Sequence, residues 1–393
     1  MRIINGIPVW GDPVDEGALA QIETCKKTAY KAALMADHHL GYGVPIGGVV
    51  AYKNQISPSG VGFDIACGNM AVMTDLVWED IKPNVSLLAD EIFKQIAFGV
   101  GRKNDERVDH PLFEDDAWKV FPDSIDKKAA ESQLGTVGSG NHYVDVFIDT
   151  LERVWIGVHF GSRGLGHKIA THFLRAGGAQ DGINVEPLVV DVDSALGADY
   201  LVAMELAGKY AYAGREWVCH KVMQIMGASP RTRVHNHHNF AWKETHQGED
   251  LWVVRKGATP SFPGQKGFVG GSMGDISVIL EGIESPDSIH SLYSTVHGAG
   301  RVMSRNDAKG KFIKDENGYK KRGPGLVRHD EMMKWIANKH VCLRGAGVDE
   351  APQCYKRIEN VLGEHATSIK ITEVLHPVIV CMAGEDITDP YKD

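Results

Sequence analysis

The sequence predicts an α+β fold, one large domain over residues 1–393 in which β-sheets are flanked by helices. Three observations carry that expectation. Stretches with helical spacing of apolar residues occupy 15–36, 86–98 and 198–227. Short β-rich runs occupy 142–148, 153–160 and 251–256, each ending near a glycine cluster. The polar motifs between them are scattered from about residue 37 to 356 with no Pro/Ser linker, repeat or low-complexity tract to separate them, as one site assembled from the whole chain requires.

Each element has a local reason. "DEGALAQIETCKKTAYKAALMA" starts acidic, which suits a helix N-terminus, and repeats apolar residues every three or four positions. "ADYLVAMELAGKYAYAGREWVCHKVMQIMG" has the same spacing at greater length and stops on glycine. "HYVDVFI", "RVWIGVHF" and "LWVVRK" are rich in β-branched and aromatic residues. The glycine-rich segment 41–75 reads as strands and tight turns, and 306–325, "NDAKGKFIKDENGYKKRGPG", as an exposed polar loop or hairpin on solvated surface.

Composition narrows the function classes. An apolar fraction of 43% and a charged fraction of 24% belong to an ordinary globular protein. No apolar run reaches the roughly 20 residues of a membrane helix, and the N-terminus lacks a signal peptide's basic start and apolar core. Six cysteines without CxxC spacing suggest reduced thiols, so a cytoplasmic location is expected. A formal charge of −9 excludes a general nucleic-acid coat but leaves room for a local basic cleft. The 44 glycines gather in "GVGFDIACG", "GTVGSGNHY", "GSRGLG", "FVGGSMGD" and "HGAGR", where backbone can approach a ligand closely.

The residues flanking those glycines carry the chemistry. Asp64 and Cys67 lie three apart; a carboxylate and a bridging thiolate can grip two metal ions. Taken alone, the pair is a buried cysteine beside a turn-capping aspartate. Asn141 and His142 follow a glycine turn, and His159 closes a β run four residues before Arg163, whose fork suits a phosphate. "HNHHNF" supplies His235, His237 and His238, and "STVHGAGR" supplies His297 and Arg301. Such a mix of Cys, Asp and His suits manganese or zinc, without the close ligand pairs of a structural zinc site.

Taken together and in order, "HLGYGVPIGGVVA", "GVGFDIACGN", "GTVGSGNH", "HFGSRGLGH", "HHNF", "RKGAT", "GSMG", "HGAGRVMSR" and "DEAPQCYK" resemble the RtcB family of RNA ligases over nearly the whole chain. The resemblance implies an enzyme that joins RNA 2′,3′-cyclic phosphate or 3′-phosphate ends to 5′-hydroxyl ends in RNA repair or tRNA splicing, using GTP and two manganese ions in a central cleft. By position, Cys67, His159 and His238 would hold one ion, and Asp64, Cys67 and His142 the other. His297 matches the nucleophile that becomes a histidine-guanylate, from which an RNA-3′-pp-5′-G intermediate forms. Asn141, Asp145, Asn239, Ser272 and Tyr355 match guanylate-binding positions, Asp145 standing where many relatives carry glutamate. Arg163 and Arg301 would neutralise phosphates. His235 and His237 are left as supporting or surface polar groups.

The family's C-terminal lysine is replaced: Ala383 stands in its place, and residues 384–393 extend beyond it, with Lys392 as a candidate substitute cation. That departure keeps a dinuclear phosphoesterase acting on cyclic phosphates as a rival, with a non-catalytic RNA-binding subunit as a third reading. The RNA joined and the need for an accessory activator protein stay open.

Overall fold

The computed structural model describes residues 1–122, 125–180, 182–314 and 320–385. Two sheets dominate it. Across the larger, eight-stranded sheet run Pro230–His237, Gly68–Val77, Arg153–Phe160, Tyr143–Asp149, Ile369–Gly384, Ser277–Gly282 and Lys266–Val269, each antiparallel to its neighbour. Cys342–Ala346 pairs in parallel with the end of Ile369–Gly384. The last strand of this path is tied back to the first two by side chains. Asn69 Nδ2 donates to Phe268 O at 2.9 Å and Phe268 N donates to Asn236 Oδ1 at 3.0 Å. The sheet thereby curls most of the way to a barrel and hides two edges that would otherwise present unpaired backbone.

The smaller sheet has six strands in the order Arg2–Ile4, Ile7–Val9, Lys31–His39, Ile46–Tyr52, Glu249–Lys256, Asn239–His246. Pro230–His237 and Asn239–His246 therefore belong to different sheets, and the single residue between them is His238. The chain turns from one sheet to the other at that histidine.

The helix Ala195–Met226 lies against the larger sheet, capped by Ser194 at one end and by left-handed Gly227 at the other. Its Val218 and Val222 pack with Ile156 and Val158 of the sheet, each such buried side chain contributing about 1.5–3 kcal/mol. The strands expected at 142–148, 153–160 and 251–256 form as Tyr143–Asp149, Arg153–Phe160 and Glu249–Lys256, and the helix expected at 86–98 forms as Val85–Gln95.

One expectation is corrected. The helix predicted over 15–36 stops at Lys26, and Lys31–His39 is a strand. Residues 32–38 are all buried, because the strand is covered on both faces. A short apolar run sandwiched in that way carries no alternation, so its spacing cannot be told from that of a buried helix. The segment 306–325 forms a short helix, Arg305–Lys309, and a hairpin of Phe312–Lys314 with Lys320–Arg322. The extension beyond residue 385, Lys392 included, lies outside the described residues. Among the described residues no helix is long and apolar enough to cross a membrane.

Candidate active site

A cleft of about 1070 Å³ opens where the two sheets meet, and every residue that the resemblance assigns to metal, guanylate or phosphate lines it. This is at the top of the range of about 300–1,000 Å³ for small-ligand pockets.

At its floor lies the turn Asp64–Cys67, closed by Cys67 N donating to Asp64 O at 3.1 Å. Ala66 in this turn has φ +59, a left-handed conformation that costs about 1 kcal/mol or more outside glycine. Both its backbone groups are held: Ala66 N donates to Asn239 O at 2.7 Å, and Ala66 O accepts from Arg215 at 3.0 Å. The turn aims the Asp64 and Cys67 side chains at His142 and His159. Cys67 Sγ lies 3.2 Å from His159 Nε2 and 3.7 Å from His142 Nε2, and His142 Nε2 lies 3.1 Å from Asp64 Oδ2. Gly161 is required here, since a Cβ would overlap the Asp64 carboxylate.

Cys67, His142 and His159 form a buried cluster of donor atoms that could hold a metal ion. Ligand atoms about 2.0–2.3 Å from one ion lie roughly 3.3–3.8 Å apart in a tetrahedral arrangement; the 3.7 Å from Cys67 to His142 falls in that range and the 3.2 Å from Cys67 to His159 just below it. His238 is buried beside them, its ring 5.1 Å from that of His159 and 4.9 Å from that of His297. Burial, reinforced by neighbouring histidines, holds His159 and His238 well below the usual imidazole range, so both are neutral lone-pair donors. Burial would raise Asp64, but hydrogen bonds from His142 and Cys67, together with the positive charges of His142 and Arg163, outweigh that and bring it down to about 2. Burial and the Asp64 charge push the Cys67 thiol well up, so an incoming cation must displace a proton to gain the thiolate.

His297 stands across the cleft with its Nδ1 2.5 Å from Asp37 Oδ2, and its backbone N–H donates to the same oxygen at 2.9 Å. Asp37 is fully buried; burial would raise its carboxyl, but His297 and Lys356 hold it below the ordinary value, hence ionised. An ionised carboxylate only accepts, so Nδ1 is protonated and faces Asp37, which leaves Nε2 as the ring nitrogen turned away from the carboxylate. Asp37 was not singled out from the sequence, although a carboxylate inside the apolar run "AALMADHH" was the available signal.

Arg215, also missed, is a wholly buried guanidinium in the middle of the long helix. It donates to Ala66 O, to Phe160 O at 2.6 Å and to His235 Nε2 at 2.8 Å, and meets His237 Nδ1 at 3.0 Å. These partners explain two histidines of "HNHHNF": His235 and His237 face Arg215, and only His238 joins the cluster.

The remaining residues divide between open and tied groups. Asp145 Oδ1, Tyr143 Oη, His142 Nδ1 and His238 Nδ1 are buried and find no hydrogen-bond partner among the described residues, a state that a bound ligand would relieve. Burial pushes the Asp145 carboxyl well up. Ser272 Oγ donates to Asp275 Oδ2 at 2.7 Å. Asn239 spans the turn to Gly257, its Nδ2 3.2 Å from Asp64 O and its Oδ1 accepting from Gly257 N at 2.7 Å. Arg301 donates to Tyr355 Oη at 3.0 Å and to Glu350 at 3.3 Å, within a network that Arg305 joins. Arg163 donates from Nε to Thr136 Oγ1 at 3.2 Å and lies against Gly138, where a Cβ would overlap its guanidinium. Ala383 is turned away. Val380 and Met382 line the cleft, whereas Ala383 packs with Ile92 and Cys381 in the apolar layer behind it, so a lysine side chain at 383 would start from the wrong face of the strand.

The fold and site define a class: an α+β protein whose cleft sets a Cys/His/Asp donor cluster opposite a carboxylate-oriented histidine. The family model described as tRNA-splicing ligase RtcB matches residues 18–123 and 116–383. RNA-splicing ligase RtcB of Escherichia coli K12 is 31% identical over 425 residues, covering 96% of this chain and 97% of that protein. The tRNA-splicing ligase RtcB of Thermococcus kodakarensis is 31% identical, covering 85% and 83% respectively. RNA-splicing ligase RtcB homolog 1 of Entamoeba dispar is 32% identical, covering 88% and 78%. The chain belongs to the RtcB family.

Proposed function

We propose that this protein is an RNA ligase that joins 3′-phosphate or 2′,3′-cyclic phosphate ends to 5′-hydroxyl ends with GTP and manganese. The observation that carries the reading is His297, oriented by Asp37 at 2.5 Å in the same cleft as a donor cluster fit for metal, in a chain whose relatives are named RNA-splicing ligases.

Cys67, His159 and His238 would hold one ion, and Asp64, Cys67 and His142 the second. Bound there, manganese supplies charge neutralisation and alignment for the oxygens of an in-line displacement. His297 Nε2 attacks the α-phosphorus of GTP; an N–P bond forms, the α–β P–O bond breaks, and pyrophosphate leaves. Asp37 stabilises the cationic ring that results. Asp145 presents a buried acceptor to base N–H donors, with Asn141, Asn239, Ser272 and Tyr355 completing the guanylate pocket. An oxygen of the RNA 3′-phosphate then displaces the histidine, giving RNA-3′-pp-5′-G. The 5′-hydroxyl attacks the 3′-phosphorus, loses its proton, and GMP leaves. A cyclic phosphate must first be opened by water. Arg163 and Arg301 add positive charge along this path.

Incubation with α-labelled GTP and manganese tests the reading, with His297→Ala as the control. Covalent label that vanishes in the variant while bound manganese is retained is the expected result. Opening of cyclic phosphate without label makes the protein a phosphoesterase, and neither activity makes it an RNA-binding subunit. Label that survives His297→Ala sinks the nucleophile assignment.

A further inference from the structure

The rim of the cleft beside Asp64 carries rings for which the steps above have no use. Phe63, the residue before Asp64, is 38% exposed, and Tyr42 is 41% exposed. Phe63 stacks on His167 with centroids 5.1 Å apart and planes at 26°, and Tyr42 meets Phe63 edge-on at 6.5 Å. The three come from unconnected places: the loop after the strand Lys31–His39, the turn at the cleft floor, and the helix Arg163–Ala176. All three line the cleft. The same helix brings Arg163, at its first position, and exposed Lys168 to the same wall.

Adjacent aromatic rings at a water-exposed rim, flanked by cations, make a surface for single-stranded nucleic acid: every base has a face to stack, and every linkage a charge to neutralise. The depth of the site supplies the need. Cys67, His159 and His238 are buried, so a strand end must leave its helix to reach them, and the stacking it gives up has to be recovered elsewhere. We propose that Tyr42, Phe63 and His167 form a stacking platform for the RNA base next to the ligation junction, with Arg163 and Lys168 on its phosphate. This rests on the RNA-ligase reading and deepens it, since it names which wall of the cleft the RNA strand occupies.

The test uses the full chain and two single-stranded RNA probes, one with a 3′-phosphate and 2-aminopurine as its last base, one with a 5′-hydroxyl and 2-aminopurine as its first. Stacking on the platform quenches at least one probe. Tyr42→Leu/Phe63→Leu, which keeps apolar bulk and removes both exposed rings, weakens that probe about ten- to a hundredfold and abolishes the quench, whereas Phe63→Trp keeps it. An abasic end supplies a measurement that needs no variant: on the unchanged protein it binds more weakly by the same factor, and on the double variant the base adds nothing. Equal affinity for abasic and complete ends, or an unaltered quench in the double variant, overturns the platform. Failure of the underlying reading shows separately, as absence of covalent guanylate in the same preparation; label with no quench condemns the platform alone.

Discussion

Arg215→Met is the most demanding perturbation of this site, because one side chain holds the neighbours of three donors. Ala66 precedes Cys67, Phe160 follows His159, and His237 precedes His238, and the guanidinium reaches all of them and His235 at 2.6–3.0 Å. Hydrogen bonds to a charged group contribute about 1.5–3 kcal/mol each, so four of them come to roughly 6–12 kcal/mol. Methionine has nearly the same length and no charge to desolvate, which offsets about half of that loss. A net destabilisation of about 3–5 kcal/mol is expected, the range for removing one partner of a buried charged set. The left-handed turn at Ala66 also loses the restraint on its carbonyl, and ligand-supporting changes of this kind weaken metal binding about 10–100-fold. Urea unfolding of chelated protein gives the first quantity and manganese titration the second. Arg215→Lys, which keeps the charge but not the fork, should fall between. An Arg215→Met protein within about 1 kcal/mol of the parent, with unchanged manganese affinity, would refute this role of Arg215.

The remaining predictions concern the proton, the metals and acid stability. Asp37→Asn leaves His297 without a carboxylate to fix its tautomer, and the rate of covalent GTP labelling should drop by roughly two to four orders of magnitude; an unchanged rate shows that orientation by Asp37 is dispensable. Cys67→Ala should lose both manganese ions and His142→Ala mainly one, measured by metal analysis, because a bridging thiolate serves two ions and a terminal imidazole one; equal loss counts against a bridged pair. Burial lowers His39 to about 3 and His365 to about 4, from an ordinary value of 6.5. With folded values depressed, the unfolded chain binds more protons below pH 6.5, so stability is full above that pH and declines as pH falls towards 4 and 3. Each of these groups contributes up to about 1.4 kcal/mol per pH unit to the decline. A flat urea midpoint between pH 6.5 and 4.5 contradicts this.

What the sequence determined by itself was the inventory and its local geometry. Strands such as Arg153–Phe160 are legible because β-branched and aromatic residues crowd a short window, and the long helix because its spacing persists for 32 residues. The ordered motifs single out the candidate donors, since thiol, imidazole and carboxylate beside glycine are unusual enough to stand out. Tertiary structure alone decided which of these groups meet. Nothing local makes Lys31–His39 a strand; its cover on both faces does, and that cover comes from distant segments. Within "HNHHNF" it is the resemblance that separates His238 from its neighbours, and the fold supplies the physical reason: the chain changes sheets at that residue and turns the ring into the cleft. Ala383 stands where the resemblance places a lysine, yet strand alternation sends its side chain behind the cleft wall. Asp37 and Arg215 escaped notice for the same reason: their partners lie far away in sequence, and a buried charge reveals its purpose only through the groups that folding packs around it.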